Sequence, residues 1–208
     1  MRATPLSLLR RGTAAYCRAN DRPVVRFDPR AVTSDARTGR RIAAAYLAGP
    51  VADPAAVPSY RALRAETAAQ FEFLTRPRAR GGLGVDVRVE PADPYPDAVA
   101  MMADLLDRGR LRVYSTAAGG NPHPYLSADD NDMFRAVHDA FGHAATGRGF
   151  DRHGEEAAWR KHATMYSPLA RPAMTTETRG QTCTFIYHFQ GARFPEQKMF
   201  LLPARFWR

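Results

Sequence analysis

Asp132 to His143 reads DMFRAVHDAFGH, and this stretch sets both the fold class and the place to look for chemistry. Met133, Phe134, Val137 and Phe141 recur at the spacing that puts apolar side chains on one face of an α-helix. The predicted helix starts at about Asn131, behind a loop at 116–130 (TAAGGNPHPYLSADD) dense in Gly, Pro, Asn and Asp. It ends in two histidines five residues apart. On a straight helix His138 and His143 stand about 140° from each other, so they do not share a face as an i, i+4 pair does. A bend at Gly142 swings both imidazoles toward one ion. Such an ion needs a third ligand, for which Glu155, Glu156, His162 and Glu177 follow in the chain. Without an ion, the same histidines cap helices and hydrogen-bond inside the fold.

Working outward, Tyr60, Leu63, Thr67, Phe71 and Leu74 predict a helix that Pro77, Gly81 and Gly82 end. Val85, Val87 and Val89 alternate with charged residues in a half-buried strand stopped by Pro91. Asp97 caps a helix that stops at Gly109, and a short strand spans 111–115. Helices are predicted at 155–166 and 173–179, and the β-branched and aromatic run 182–189 (TCTFIYHF) reads as a strand, with Cys183 buried in it. Residues 1–56 show weak periodicity and five scattered prolines, so they read as a basic, weakly structured segment holding one short helix near 40–47. The expected fold is α+β and predominantly helical, with residues 57–208 as a single catalytic domain.

The composition supports one core: 208 residues, 45% apolar and 25% charged. No run is long and apolar enough for a membrane helix, which leads us to expect a soluble, cytoplasmic protein. Two cysteines, Cys17 and Cys183, exclude a disulfide framework and a four-thiolate zinc site. Residues 1–80 hold 15 Arg against 6 carboxylates, which is the whole net charge of +9, whereas all six histidines lie between His123 and His188. Charge and candidate chemistry are therefore separate in sequence. The N-terminal Arg residues suit nonspecific phosphate contact, although a GC-rich coding sequence also yields Arg and Ala. That third of the chain lacks interleaved aromatics of the kind that stack bases.

Residues 112–202 resemble the catalytic core of the pterin-dependent aromatic amino acid hydroxylases. Arg112-Val113-Tyr114 is similar to their Arg-Val-Phe strand, His138-Asp139-Ala140-Phe141-Gly142-His143 to their His-Glu-Leu-x-Gly-His, and Thr175-Thr176-Glu177 to the short context of their third iron ligand. The resemblance implies Fe(II) held by His138, His143 and Glu177, with a reduced pterin or another electron donor and O2 as co-reactants. Asp139, His123, Tyr125, Trp159, His162, Arg179 and Gln181 are then candidates for supporting the ligands or contacting substrate. The substrate stays open to a small or nucleotide-like molecule, since His123 and Asn121 occupy the loop where those enzymes place a carboxylate-binding Arg. Over residues 59–202 the chain also resembles an uncharacterised family of bacteriophage and prophage proteins. Blocks such as Gln70-Phe71-Glu72-Phe73-Leu74, Asp93-Pro94-Tyr95-Pro96-Asp97 and Thr178-Arg179-Gly180-Gln181 carry that likeness. Two rival readings remain. A zinc or manganese hydrolase similar to HD-type phosphohydrolases would use the His138-Asp139 dyad, and a non-enzymatic, nucleic-acid-associated protein would use the N-terminal arginines.

Overall fold

A computed structural model describes residues 5–207 of the chain. The described residues are predominantly helical. They form α1 (Pro5–Ala19), α2 (Ala36–Ala48), α3 (Val57–Thr75), α4 (Ala98–Arg108), a short α5 (Thr116–Gly119), α6 (Ala128–His138), α7 (Arg152–Ala163), α8 (Arg171–Thr175) and α9 (Gln181–Tyr187). Two strands, β1 (Asp86–Glu90) and β2 (Arg110–Tyr114), pair in parallel with Val87 opposite Leu111 and Val89 opposite Val113. α4 is the crossover that a parallel pair requires. Its ends follow local chemistry. Asp97 accepts a hydrogen bond from the Ala100 N–H at 2.8 Å, and Gly109 closes the helix at φ 67°, a left-handed conformation that glycine adopts without strain.

Three apolar clusters hold these elements. Leu9, Tyr16, Leu74, Met101, Leu111 and Phe141 pack α1, the end of α3, α4 and β2 around the chain segment after α6. Tyr60, Leu63, Phe134, Trp159, Tyr166 and Met174 join α3, α6, α7 and α8. Ile42, Tyr46, Cys183, Phe200 and Leu202 join α2, α9 and the C-terminal segment. Val51 and Asp53 also bond the backbone of Met199, at 2.8 and 2.7 Å.

Several expectations are corrected. Within residues 5–56, α1 is a helix that the sequence pattern does not predict, and the short helix expected near 40–47 is the longer α2; the inner faces of both belong to the first and third clusters. In α1 the buried positions Leu9, Thr13, Tyr16 and Cys17 have helical spacing, but Gly12 and Thr13 interrupt the apolar stripe. Gly12 is small because a Cβ there would come within 2.9 Å of Leu83 Cδ2. The 116–130 loop contains α5, and α6 begins earlier than predicted because Ser127 and Asp130 form a reciprocal capping box. Residues 181–187 are helical rather than a strand. Strand propensity amounts to at most about 1 kcal/mol per residue. Here the Thr184 hydroxyl is satisfied inside the helix, its Oγ1 donating to the Gly180 carbonyl at 2.8 Å, and Cys183 packs into the third cluster.

Candidate metal site

The bend that two histidines five residues apart require is a π-helical segment, Asp139–Ala144, continuous with the end of α6. Its i to i+5 hydrogen-bond register brings positions five apart onto one side, where an α-helix spreads them. The rings of His138 and His143 accordingly meet edge to face with centroids 5.1 Å apart. Gly142 leaves room for this. A Cβ there would stand 3.2 Å from His138 Cε1 and 3.1 Å from the Ala158 Cβ.

Beyond the π segment the chain reverses at Gly147 (φ 71°) and enters α7 through Asp151, whose carboxylate accepts from the N–H groups of His153 and Gly154 at 2.8 and 3.2 Å. Gly154 lies so close to this loop that a Cβ would fall 1.9 Å from the Gly149 carbonyl oxygen. The first turn of α7 presents Glu155, where the helix dipole favours a carboxylate. One Glu155 oxygen stands 3.6 Å from His143 Nε2, and the other accepts from Thr182 Oγ1 at 3.4 Å. His138, His143 and Glu155 each offer a ligand atom, and these atoms lie within 4.8 Å of one another. No other such group of three occurs among the described residues.

The hydrogen bonds behind the imidazoles decide which nitrogen faces inward. His162 Nε2 donates to Gln70 Oε1 at 2.8 Å, and burial holds His162 neutral, at about 3. Its Nδ1 therefore accepts from His138 Nδ1 at 3.1 Å, and the bare lone pair of His138 is on Nε2. Burial, with the neighbouring histidines, keeps His138 neutral, well below the usual imidazole range. His143 donates Nδ1–H to the Arg148 carbonyl at 3.3 Å, so its Nε2 faces Glu155. Burial works against a charge on His143, but Glu155 and Asp139 outweigh it and raise this group. Its Nε2 proton is the one that a cation between His143 and Glu155 would replace. Phe134 stacks on His138, and Phe150 packs edge-on against His143 at 4.9 Å. His138 and Glu155 are only partly buried, so one side of the group stays open. A cleft lined by Ser34, Arg152, Thr182, Cys183 and Tyr187 reaches Glu155.

The carboxylate of this group differs from the expected one. Glu177 also lies in a π-helical segment, Thr176–Gly180, but its oxygens are engaged elsewhere. Oε1 accepts from the Tyr60 hydroxyl at 2.5 Å and from His123 Nε2 at 3.2 Å, and Oε2 accepts from Gln181 Nε2 at 2.7 Å. His123 Nδ1 accepts the N–H groups of Tyr125 and Leu126, which fixes the proton on Nε2. The expected supporting residues thus divide into two sets. His162 orients His138, whereas His123 and Gln181 hold Glu177, and Tyr125 packs edge-on against Tyr60. Arg179 is structural: it grips the buried Glu156 carboxylate with two bonds, at 2.9 and 3.0 Å, and lies over Trp159 at 4.2 Å. The Trp159 indole donates to Thr175. Asp139 is not in the group of three, and burial pushes its carboxyl up to about 6. Glu155 is one of four downstream candidates for the third ligand, with Glu156, His162 and Glu177, and chain spacing does not select among them. Comparison of the chain with protein-family models, curated proteins and solved structures finds no match.

Proposed function

We propose that the chain is a mononuclear metal enzyme in which His138, His143 and Glu155 hold iron(II), and that it uses dioxygen and an electron donor to hydroxylate a small or nucleotide-like substrate. The observation that carries this reading is the orientation of the two imidazoles. His143 commits Nδ1 to the Arg148 carbonyl and turns Nε2 toward Glu155, and His138 commits Nδ1 to His162 and so keeps Nε2 free to bind a cation, as metal-bound histidines do. Two histidines and one carboxylate on one side of a metal, with other positions open, form the donor set of non-haem iron(II) oxygenases. Iron bound there supplies the electron-transfer and O2 chemistry that side chains lack.

The chain's own residues have separable roles. Gln70 and His162 fix His138, the Arg148 carbonyl fixes His143, and Thr182 steadies Glu155. Phe134 and Phe150 cover the imidazoles with apolar surface. The cleft that reaches Glu155 has Arg152, Ser34 and Tyr187 in its wall. Anaerobic loading with Fe(II), followed by O2-uptake measurements with ascorbate or a reduced pterin as donor, tests the proposal. Iron-dependent uptake that is absent in His138→Ala is expected. Phosphoester hydrolysis with Zn(II) or Mn(II) and no oxygen uptake would replace it with the hydrolase reading.

A further inference from the structure

The parallel pair β1–β2 has two outer edges, which differ in what covers them. The Asp86 N–H donates to the Gly109 carbonyl at 2.9 Å and the Ser115 N–H to the Glu90 carbonyl at 2.8 Å. The backbone groups of Asp86, Arg88 and Glu90 therefore face β2. Backbone groups alternate in direction along an extended strand, which turns those of Val87 and Val89 the other way. On the far side of β2, the Tyr95 hydroxyl takes the Arg112 N–H at 3.0 Å. On the far side of β1, no hydrogen bond reaches the backbone of Val87 or Val89 among the described residues. Such an edge is a template for another strand. β1, DVRVE, contains no proline, and its register with β2 runs without a bulge, so nothing in the strand blunts that edge.

The side chains select the strand that fits. Val85, Val87 and Val89 share one face; Val85 is buried and Val87 packs against the first cluster, but Val89 is 52% exposed. Asp86, Arg88 and Glu90 share the other face. Arg88 pairs with Asp86 at 2.8 Å, whereas Glu90 has no cation within ion-pair distance among the described residues.

We propose that the open edge of β1 joins two copies of this chain, paired antiparallel about a two-fold axis at Val89 into a sheet of order β2–β1–β1–β2. In that register the two Val89 residues exchange N–H and carbonyl bonds, and each exposed valine covers the other. Arg88 stands directly opposite the partner's Glu90, twice, at the non-hydrogen-bonded positions where cross-strand side chains come closest. The Val87 N–H reaches the carbonyl of the partner's Pro91, which has no N–H to offer in return, so pairing stops there. The neighbouring registers fail. Centring on Arg88 sets Arg88 against Arg88 and Asp86 against Glu90, like charges face to face. Centring on Val87 brings a strand against Val85, whose N–H the Leu74 carbonyl already holds at 3.0 Å. The charge match is with the chain's own sequence, which favours a second copy over an unrelated strand. The contact uses none of the metal-site residues.

Two five-residue strands make a small interface, so the dimer is weak and depends on concentration. Sedimentation equilibrium of the full chain from about 10 µM to 1 mM, with amide NMR spectra over the same range, tests the proposal. A monomer–dimer equilibrium is expected, in which the Val87 and Val89 amides shift and gain protection from exchange as concentration rises. Arg88→Glu and Glu90→Arg should each weaken the dimer about 10-fold or more, and the two changes together should restore most of it. Val89→Pro removes an edge N–H without costing a bond to β2, and should leave a monomer whose fold circular dichroism checks. A monomer throughout the range would overturn the proposal. So would a dimer that these variants leave intact, or one that the paired charge exchange does not restore, because either result places the contact elsewhere.

Discussion

His162 shows no exposed surface, and its neutral ring takes the Nδ1 hydrogen bond of His138 while resting on Gln70. Removing such a partner leaves a metal-ligating imidazole free to rotate or to change tautomer. His162→Ala should therefore weaken metal binding about 10- to 100-fold in a competition titration. Unchanged affinity would mean that His138 orients itself. A second residue-scale prediction concerns Asp104, which accepts from Nε and Nη2 of Arg110 at 3.0 and 2.9 Å and from the Tyr95 hydroxyl at 3.0 Å. The Arg110 hydrogen bonds are the main reason its carboxyl falls from 3.8 to about 2. The folded state thus binds this proton less readily than the unfolded chain. Its stabilisation is fully present above about pH 4 and is lost as pH falls toward 2. Denaturant melts across that range should show a steeper acid loss for the wild type than for Asp104→Asn, and parallel curves would contradict it. At this scale the two histidines were legible because their residue type and spacing are rare together. The carboxylate was not, because selecting Glu155 over Glu177 depends on which of them Tyr60, His123 and Gln181 hold elsewhere, and those contacts span up to 117 positions in the chain.

The π segment is the element that converts a poor helical spacing into a convergent one. Sequence periodicity predicted only that a regular helix could not join His138 to His143 and that the chain must depart from it near Gly142. The type of departure depends on backbone register, which side-chain pattern does not encode. α7 has its own dependence on a small residue. Gly154→Ala puts a methyl 1.9 Å from the Gly149 carbonyl oxygen, a backbone atom that a side-chain rotation cannot move aside. It should destabilise the fold by about 1–3 kcal/mol, measured by chemical denaturation, and shift the loop that carries Phe150. Wild-type stability would show that the loop yields freely. α9 shows how far propensity misleads. Thr182, Thr184, Phe185 and Ile186 favour strands, yet burial against α2 keeps this segment helical, with the Thr184 hydroxyl satisfied by the preceding turn.

Over the whole molecule, the split between a basic N-terminal part and a neutral remainder is real in charge but not in structure. α1 and α2 supply Leu9, Tyr16, Ile42 and Tyr46 to clusters shared with later elements. Leu9→Ala should thus lower global stability by about 2–5 kcal/mol, where a loosely attached tail would show no change. The middle of the chain, from α3 to β2, was legible because its apolar periods are regular and its ends carry Asp97 and Gly109. The central claim is that His138, His143 and Glu155 share one metal ion, and elemental analysis of Fe(II)-loaded wild type, Glu155→Gln and Glu177→Gln tests it most directly. The account predicts one iron per wild-type chain, loss of it in Glu155→Gln and retention in Glu177→Gln. No bound metal in the wild type, or loss confined to Glu177→Gln, would contradict it.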